Sequence, residues 1–395
     1  MKENCGQLIP KQLAFIKLLH PAFFYHHSMN SYPLRSPRLW TGMALKAWLN
    51  LLNGKTTKIS ANRIGLALFT TFAALLQTLI WPVALCWEIV IGFRSQSLPN
   101  HAPPIFIIGH WRSGTTLLHE LLCCFSELKA PTTYQCFSPR HFLLTEKIVT
   151  AIFSWVLPKT RTFDRVPLDW NSPQEDEFAL LMVGAQSPYR RIAFPCIGDQ
   201  LDGLDISKLP LKQREYWSQS LVLFVKRLTF NDPRQLVLKS PTHTARISIL
   251  LNLFPSAKFI FISRDPRTMM PSTVKLWKFF DFYHGLNSSG STNYLQYVLT
   301  TFRAIEDAYL RDRPLLNNNN LIELRFEDLI ADPTRSLKAI ISDLCLENLH
   351  VNLAELESVV SRISLNTPER YALTHEEAHC INEATLAYRK RYNYT

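Results

Sequence analysis

The 395-residue chain predicts an α/β fold: a parallel sheet flanked by helices, entered by a strand-loop-helix of the phosphate-loop kind and preceded by a hydrophobic helical N-terminal region. Three observations carry this reading. Short apolar, β-branched runs recur beyond residue 103, at IFIIG (105–109), LVLKS (236–240), KFIFIS (258–263) and LIELR (321–325), with helical stretches between them. Strands that are apolar at successive positions suit a parallel sheet covered on both faces. The first run passes through GHWRSGTT (109–116) into a helix, and residues 64–93 form one long apolar stretch.

Taken in order, the N-terminal region (1–100) is basic and then apolar, and the body follows at 101–395. Residues 1–63 carry nine Lys and Arg against the single acid Glu3, whereas the remainder carries 34 basic and 31 acidic side chains. The formal charge of +11 therefore describes an arm. With no basic-aromatic nucleic-acid motif beside it, that arm suits an anionic membrane surface rather than DNA or RNA. Residues 64–93 hold only Gln77 and Glu88 as strongly polar side chains and are long enough to cross a bilayer, with Pro82 expected to kink the helix. Two readings stand for this stretch: a membrane-embedded or interfacial helix, and an apolar layer packed on the body or a partner. The chain is expected in the cytoplasm, peripheral or integral to a membrane. No cleavable signal peptide is visible, and the eight cysteines show neither C-x-x-C spacing nor a disulfide framework, so reduced thiols are expected.

Helices are expected over 115–125, 173–183, 212–228, 242–254, 267–279, 293–310 and 333–346, with two more towards the C-terminus. SPQE (172–175) reads as a helix start, with Ser172 as the cap, Pro173 in the first turn and Glu175 closing a capping box. In a doubly wound sheet the ligand lies at the carboxyl ends of the strands.

The loop at 109–116 sits at such an end. Gly109 and Gly114 fit the G-x-x-x-x-G-K-[ST] pattern, but Thr115 replaces the lysine and Arg112 lies three residues earlier. Backbone amides of the loop and the helix start converge on an anion, and Arg112 adds a planar fork for phosphate or sulfate oxygens. Ser113, Gly114, Thr115 and Thr116 complete the cradle. The other strand ends carry Lys239, Arg264 and Arg325 rather than an acid to hold Mg²⁺. This is an anion loop served by protein cations without a metal, and an NTPase reading is disfavoured.

Four segments together resemble the sulfotransferases that use 3′-phosphoadenosine 5′-phosphosulfate, in the branch of many bacterial enzymes and the protein-tyrosine sulfotransferases. GHWRSGTTLLHELL (109–122) is similar to that family's 5′-phosphosulfate loop. FPSAKFIFISRDPRTMMPS (254–272) is similar to its 3′-phosphate motif, which makes Arg264 and Ser272 the 3′-phosphate ligands. VLKSP (237–241) resembles the strand with its catalytic lysine, here Lys239, and LRFEDLIADP (324–333) its segment near the adenine, with Phe326 for the usual tyrosine. The resemblance covers about residues 103–340. It implies in-line sulfuryl transfer from that donor, as co-substrate, to a hydroxyl acceptor, with Lys239 neutralising charge on the bridging oxygen. The hydrophobic N-terminal layer suggests an apolar or lipid-like acceptor and membrane contact through residues 64–93.

The general base is left open. Tyrosine sulfotransferases place a glutamate where this chain has Thr133, so that residue does not carry over. Glu177, Glu175 and His243 are the candidates, with Asp176 and His119 behind them; Glu175 also suits the capping box, and acids in a first turn suit the helix dipole alone. TTYQCFSPRHF (132–142) is expected to begin the acceptor pocket, with Phe137 and Phe142 equally suited to the core. RKR (389–391) reads as a solvated helix end.

Overall fold

The computed structural model describes residues 36–94, 102–161, 166–195, 201–230, 232, 234–287, 292–346, 349–365 and 372–394. The first 35 residues, with three of the arm's lysines (Lys2, Lys11, Lys17), lie outside them. Helices α1 (Leu45–Leu52) and α2 (Ile64–Val90) precede β1 (Ile105–Gly109), which runs into α3 (Thr115–Leu122). Next come β2 (Leu128–Lys129), α4 (Thr133–Phe137), α5 (Phe142–Ile152), α6 (Asp176–Val183) and α7 (Leu211–Thr229). Strand β3 (Gln235–Lys239) and α8 (Ile247–Leu253) lead to β4 (Lys258–Ser263), then α9 (Pro266–His284), α10 (Tyr294–Asp312) and β5 (Leu321–Arg325). The described chain closes with α11 (Phe326–Ala331), α12 (Pro333–Asp343), α13 (Leu353–Leu365), α14 (His375–Ala384) and α15 (Leu386–Arg391).

The sheet has the order β2-β3-β1-β4-β5, with every pairing parallel. Successive apolar residues serve opposite faces, as the strand composition requires. Phe106 and Ile108 of β1 join Phe259 and Phe261 of β4 in one core cluster, while Ile105, Ile107, Ile260 and Ile262 join the other. Register then sets the site: Ile107 lies beside Lys239, Gly109 beside Ile262, and Ser263 beside Arg325. The anion loop, Lys239 and Arg264 thus leave the sheet on one edge.

Several elements differ from the sequence expectation. The helix expected from 173 begins at Asp176, with Glu175 as its N-cap residue and no side-chain cap bond. Residues 173 and 174 are held extended instead, by a bridge between Pro173 and Thr132 and by the Gln174 amide donating to the Pro131 carbonyl at 2.9 Å. Ser172 Oγ turns to Asp169, not to the helix. Residues 242–254 split into a 3₁₀ turn (Pro241–Ala245) and α8, and the helix expected to end at 279 runs on to His284. Helix α2 continues through Pro82 without a break. A proline removes one backbone bond; here packing on both sides of it, at Ala74 and Ala84, keeps the helix on the body.

Helices α1 and α2 share the larger core cluster with the sheet through Trp48, Ala67 and Ala74, and Trp40 of the turn before α1 joins them. The seam is also polar. Trp48 donates its indole N–H to Thr71 (2.8 Å), the Leu45 amide donates to Thr78 Oγ1 (2.9 Å), and Gln77 bonds His141. At the far end buried Glu88 of α2 receives Arg227 of α7 at 2.6 Å and also pairs with Arg94.

Candidate functional site

The turn from β1 to α3 needs backbone that few residues adopt. Gly109 has φ +146° and Gly114 φ +103°, and between them Arg112 sits at φ +67°. A Cβ on Gly114 would lie 2.2 Å from the Phe326 ring, so the loop closes against that ring only because position 114 is glycine. Gly114 offers no side-chain cap, which leaves the first-turn amides of α3 to a ligand or water. The Ser113 hydroxyl is buried and lacks a hydrogen-bond partner. Both features fit an anion cradle.

The two motifs, some 150 residues apart in sequence, are joined in space. Arg112 Nε donates to Ser272 Oγ (3.0 Å), and Arg264 donates to the Arg112 carbonyl (3.0 Å). The Arg264 guanidinium lies 4.3 Å from the Phe326 ring centroid, a cation–π contact that fixes its direction. Arg112, Thr115, Thr116, Arg264, Ser272 and Phe326 all line one cavity of about 1280 Å³. Lys275, one helical turn after Ser272 on α9, lines it too, as does Arg161. The donor set of Arg112, Arg161, Arg264, the Lys275 ammonium, hydroxyls and a bare helix start suits a ligand bearing two separated anionic groups.

On the opposite wall the three consecutive acids at the start of α6 part company. Glu177 is fully buried in a fork with Arg246 (2.5 and 3.0 Å) and accepts from Thr242 (3.1 Å). Asp176 is fully buried against His243 Nε2 at 2.6 Å, and the His243 ring is packed between Phe106 and Trp217. Neither Glu177 nor His243 lines the cavity, so both expected base candidates are brought into the core instead. Glu175 alone of the three acids lines it.

Glu175 is held from two sides. Lys239 donates to Oε1 at 2.8 Å and the Tyr189 hydroxyl donates to Oε2 at 2.6 Å; Tyr189 in turn accepts from the Trp111 indole at 2.8 Å. The side chain of Lys239 is 1% exposed and that of Glu175 13%, so the lysine sits behind the carboxylate rather than on the cavity wall. Burial pushes the Lys239 ammonium down from its ordinary range while the Glu175 charge pulls it back. Burial, then the Glu175 charge, raises the Tyr189 phenol well above its usual value, so it stays a donor. A carboxylate oxygen has two acceptor positions, so one bond to each oxygen of Glu175 leaves this cavity-lining carboxylate further acceptor capacity.

His119, on α3, donates Nε2–H to the Val237 carbonyl (3.1 Å) inside the core, where burial lowers its pKa to about 3. Thr133, Tyr134 and Phe137 line the cavity, whereas Phe142 is core. The terminal basic run is engaged away from the cavity: Arg391 pairs with Glu306 at 2.7 Å. Sequence reasoning missed Tyr189, Arg161 and Lys275. The helical i,i+3 spacing from Ser272 was a usable signal for Lys275; Tyr189 carried none. Much of the remaining wall is apolar, including Phe69, Phe72 and Leu76 of α2, Val149 of α5 and Phe153 beyond it, with polar residues such as Gln77, His141 and Gln174 among them.

Residues 103–349 match the model of the Sulfotransferase family. Two relatives, from Mycobacterium bovis and Mycobacterium tuberculosis, both named omega-hydroxy-beta-dihydromenaquinone-9 sulfotransferase Stf3, are 35% identical over 357 residues, covering 90% of this chain and 91% of theirs. Among solved structures, the sulfotransferase STF9 from Mycobacterium avium aligns with a TM-score of 0.58 at 17% identity, over 89% of this chain and 96% of that one. STF1 from Mycobacterium tuberculosis H37Rv aligns at 0.57 and 16%, over 87% and 91%.

Proposed function

The chain belongs to the sulfotransferase family, and from that premise we propose that it moves a sulfuryl group from 3′-phosphoadenosine 5′-phosphosulfate to the hydroxyl of an apolar, lipid-like acceptor. The observation that carries the donor is the junction of Arg112, Ser272 and Arg264, which puts cationic and hydroxyl donors for two phosphate groups in one cavity. The observation that carries the acceptor is the apolar wall of that cavity, together with the lipid-like menaquinone derivative in the relatives' name.

Arg112, Ser113 and the backbone from Gly114 to Thr116 hold the 5′-phosphosulfate end. Arg264 and Ser272 read the 3′-phosphate, with Lys275 within the same wall, and Phe326 holds Arg264 in line. The charge that grows on the leaving phosphate is met by Arg112 and the α3 amides. Glu175 is the general base: it takes the proton from the acceptor hydroxyl as that oxygen bonds to sulfur and the bond from sulfur to the phosphate oxygen breaks. The products are a sulfate ester, 3′,5′-ADP and the proton left on Glu175. Lys239 and Tyr189 orient the carboxylate. This reassigns Lys239 from the bridging oxygen to the base, because its ammonium already lies on Glu175. The donor is a soluble nucleotide, which fits a cytoplasmic site.

Calorimetric titration with 3′,5′-ADP and with Mg-ATP tests the donor site. Tight binding of the bisphosphate, weak binding of ATP, and loss of the preference in Arg264→Ala are expected. Equal binding of both nucleotides would remove the basis for the 3′-phosphate assignment.

A further inference from the structure

We propose that the outward faces of α2 and α5 form a surface that seats the protein in the plane of an anionic bilayer leaflet, with the acceptor entering the cavity sideways from the lipid. This rests on the apolar-acceptor reading above.

By length and composition the segment Ala61–Val90, which holds an 18-residue stretch of mean hydropathy 1.8, satisfies the criterion for a membrane span. Its contacts argue against crossing. Ala67, Thr70, Ala74, Ala84 and Glu88 are buried and recur at helical spacing, so one stripe faces the body along the whole helix. That stripe carries the Trp48–Thr71, Gln77–His141 and Glu88–Arg227 contacts. A spanning α2 would drag this ion pair, α1 and α7 into hydrocarbon. A helix lying in the interface keeps the stripe on the protein and gives only the other side to lipid.

The other side is apolar and open: Leu68, Phe72, Leu79, Val83 and Val90 are between 59% and 75% exposed. Ile148 and Ile152 of α5, with Phe153 and Trp155 just beyond, extend it. A contiguous patch of this kind on a soluble surface marks an interaction site. Charge selects the partner. The one charged residue of α2, Glu88, is buried, and Glu146 of α5 is engaged by Thr132 and Gln135. The exposed charges along these segments are Lys58, Arg94, Lys147 and Lys159, all basic. Arg140 stacks on Trp81 (4.9 Å), and Trp87 and Trp155 are exposed, in keeping with aromatic anchoring at a headgroup boundary.

The cavity opens within this patch. Phe69, Phe72 and Leu76 of α2, and Phe153 after α5, are at once exposed and part of its lining, while its polar end holds Glu175 and the anion loop. An acceptor can therefore put its hydroxyl at Glu175 while its apolar chain stays in the leaflet.

The test uses the full chain and the double variant Leu68→Glu/Leu79→Glu, whose two positions lie on the open face and outside the cavity lining. Flotation with phosphatidylglycerol–phosphatidylcholine vesicles is measured first. Sulfation is then measured on a short, water-soluble isoprenoid alcohol and on a long-chain isoprenoid alcohol embedded in the same vesicles. Wild-type flotation, a fall of at least about tenfold in flotation and in sulfation of the embedded alcohol in the variant, and unchanged sulfation of the short alcohol support the proposal. Wild-type protein that does not float, yet sulfates the short alcohol, overturns the seat and leaves the activity standing. Flotation with no sulfation of either alcohol supports the seat and overturns the acceptor reading and the sideways entry. A wild-type dimer that the variant dissociates, with no flotation, overturns the proposal in favour of a second copy on this face.

Discussion

Replacing Glu175 by glutamine separates its two tasks, because the carboxylate is both the proposed base and the partner of a buried ammonium. As base, its loss is expected to slow sulfuryl transfer by about 10²- to 10⁴-fold, the usual worth of a positioned general base. Affinity for 3′,5′-ADP is expected to hold, since Arg112, Arg264 and Ser272 are untouched. Stability also falls, because Lys239 is 1% exposed and its ammonium loses the charge it bonds at 2.8 Å. Breaking a buried pair from one side costs about 3–5 kcal/mol, and glutamine's remaining carbonyl puts this case near the lower figure. Lys239→Met is expected to cost less, about 1–3 kcal/mol, because Glu175 keeps the Tyr189 donor and some solvent. The double variant removes both charges, so it is expected to regain about 2 kcal/mol relative to the sum of the singles while staying inactive. Urea unfolding of the four proteins gives the coupling, and single-turnover transfer gives the chemistry. Additivity within about 0.5 kcal/mol, or a Glu175→Gln rate within tenfold of wild type, would refute the reasoning.

Three further outcomes follow from the same geometry. Arg264→Ala is expected to weaken 3′,5′-ADP by about 10²-fold, from lost charge-assisted bonds, while leaving adenosine 5′-phosphosulfate nearly unchanged; competition binding with both ligands reads this. Gly114→Ala is expected to abolish donor binding with the fold intact by circular dichroism, and Phe326→Ala is not expected to restore it fully, because the φ of +103° remains strained after the ring is gone. Burial lowers His110 to about 4, and His119 and His284 to about 3, so all three are neutral in the folded protein. Their folded values lie below the unfolded one, so their stability is complete above about pH 6.5 and is lost below it, at about 1.4 kcal/mol per unit for each. Stability should drop by about 4 kcal/mol between neutral pH and pH 5.5 from these three; a flat urea midpoint over that range would contradict the assignment.

The parts of the molecule that the sequence made legible are those encoded locally. Strands β1, β3 and β4 read directly because their central residues, covered on both faces, are apolar at successive positions. Edge strand β5 read from the same kind of run despite its exposed Glu323, and the loop read directly because its glycines and Arg112 act within a few positions of one another. Glu175 was harder. Its partners come from β3 and from Tyr189, and the S-x-x-E spacing pointed to a local cap instead. The bridge from Pro173 to Thr132 is what overrode that signal, by holding the residues before Asp176 extended. Glu177 and His243 were equally plausible by type and position, and only burial against Arg246 and Asp176 tells them apart from a cavity residue. For α2, composition could not distinguish a span from a packed layer; the buried stripe with Glu88 on Arg227, which forms only in three dimensions, is the observation on which the proposed in-plane seat rests.

The most direct test of the central claim is product analysis by mass spectrometry after incubation with 3′-phosphoadenosine 5′-phosphosulfate and a hydroxyl-terminated isoprenoid. A sulfate ester on that hydroxyl and 3′,5′-ADP in equal amounts are expected, with both absent in Glu175→Gln under the same single-turnover conditions. Release of 3′,5′-ADP with free sulfate and no ester, at the same rate with and without the isoprenoid, would contradict the claim.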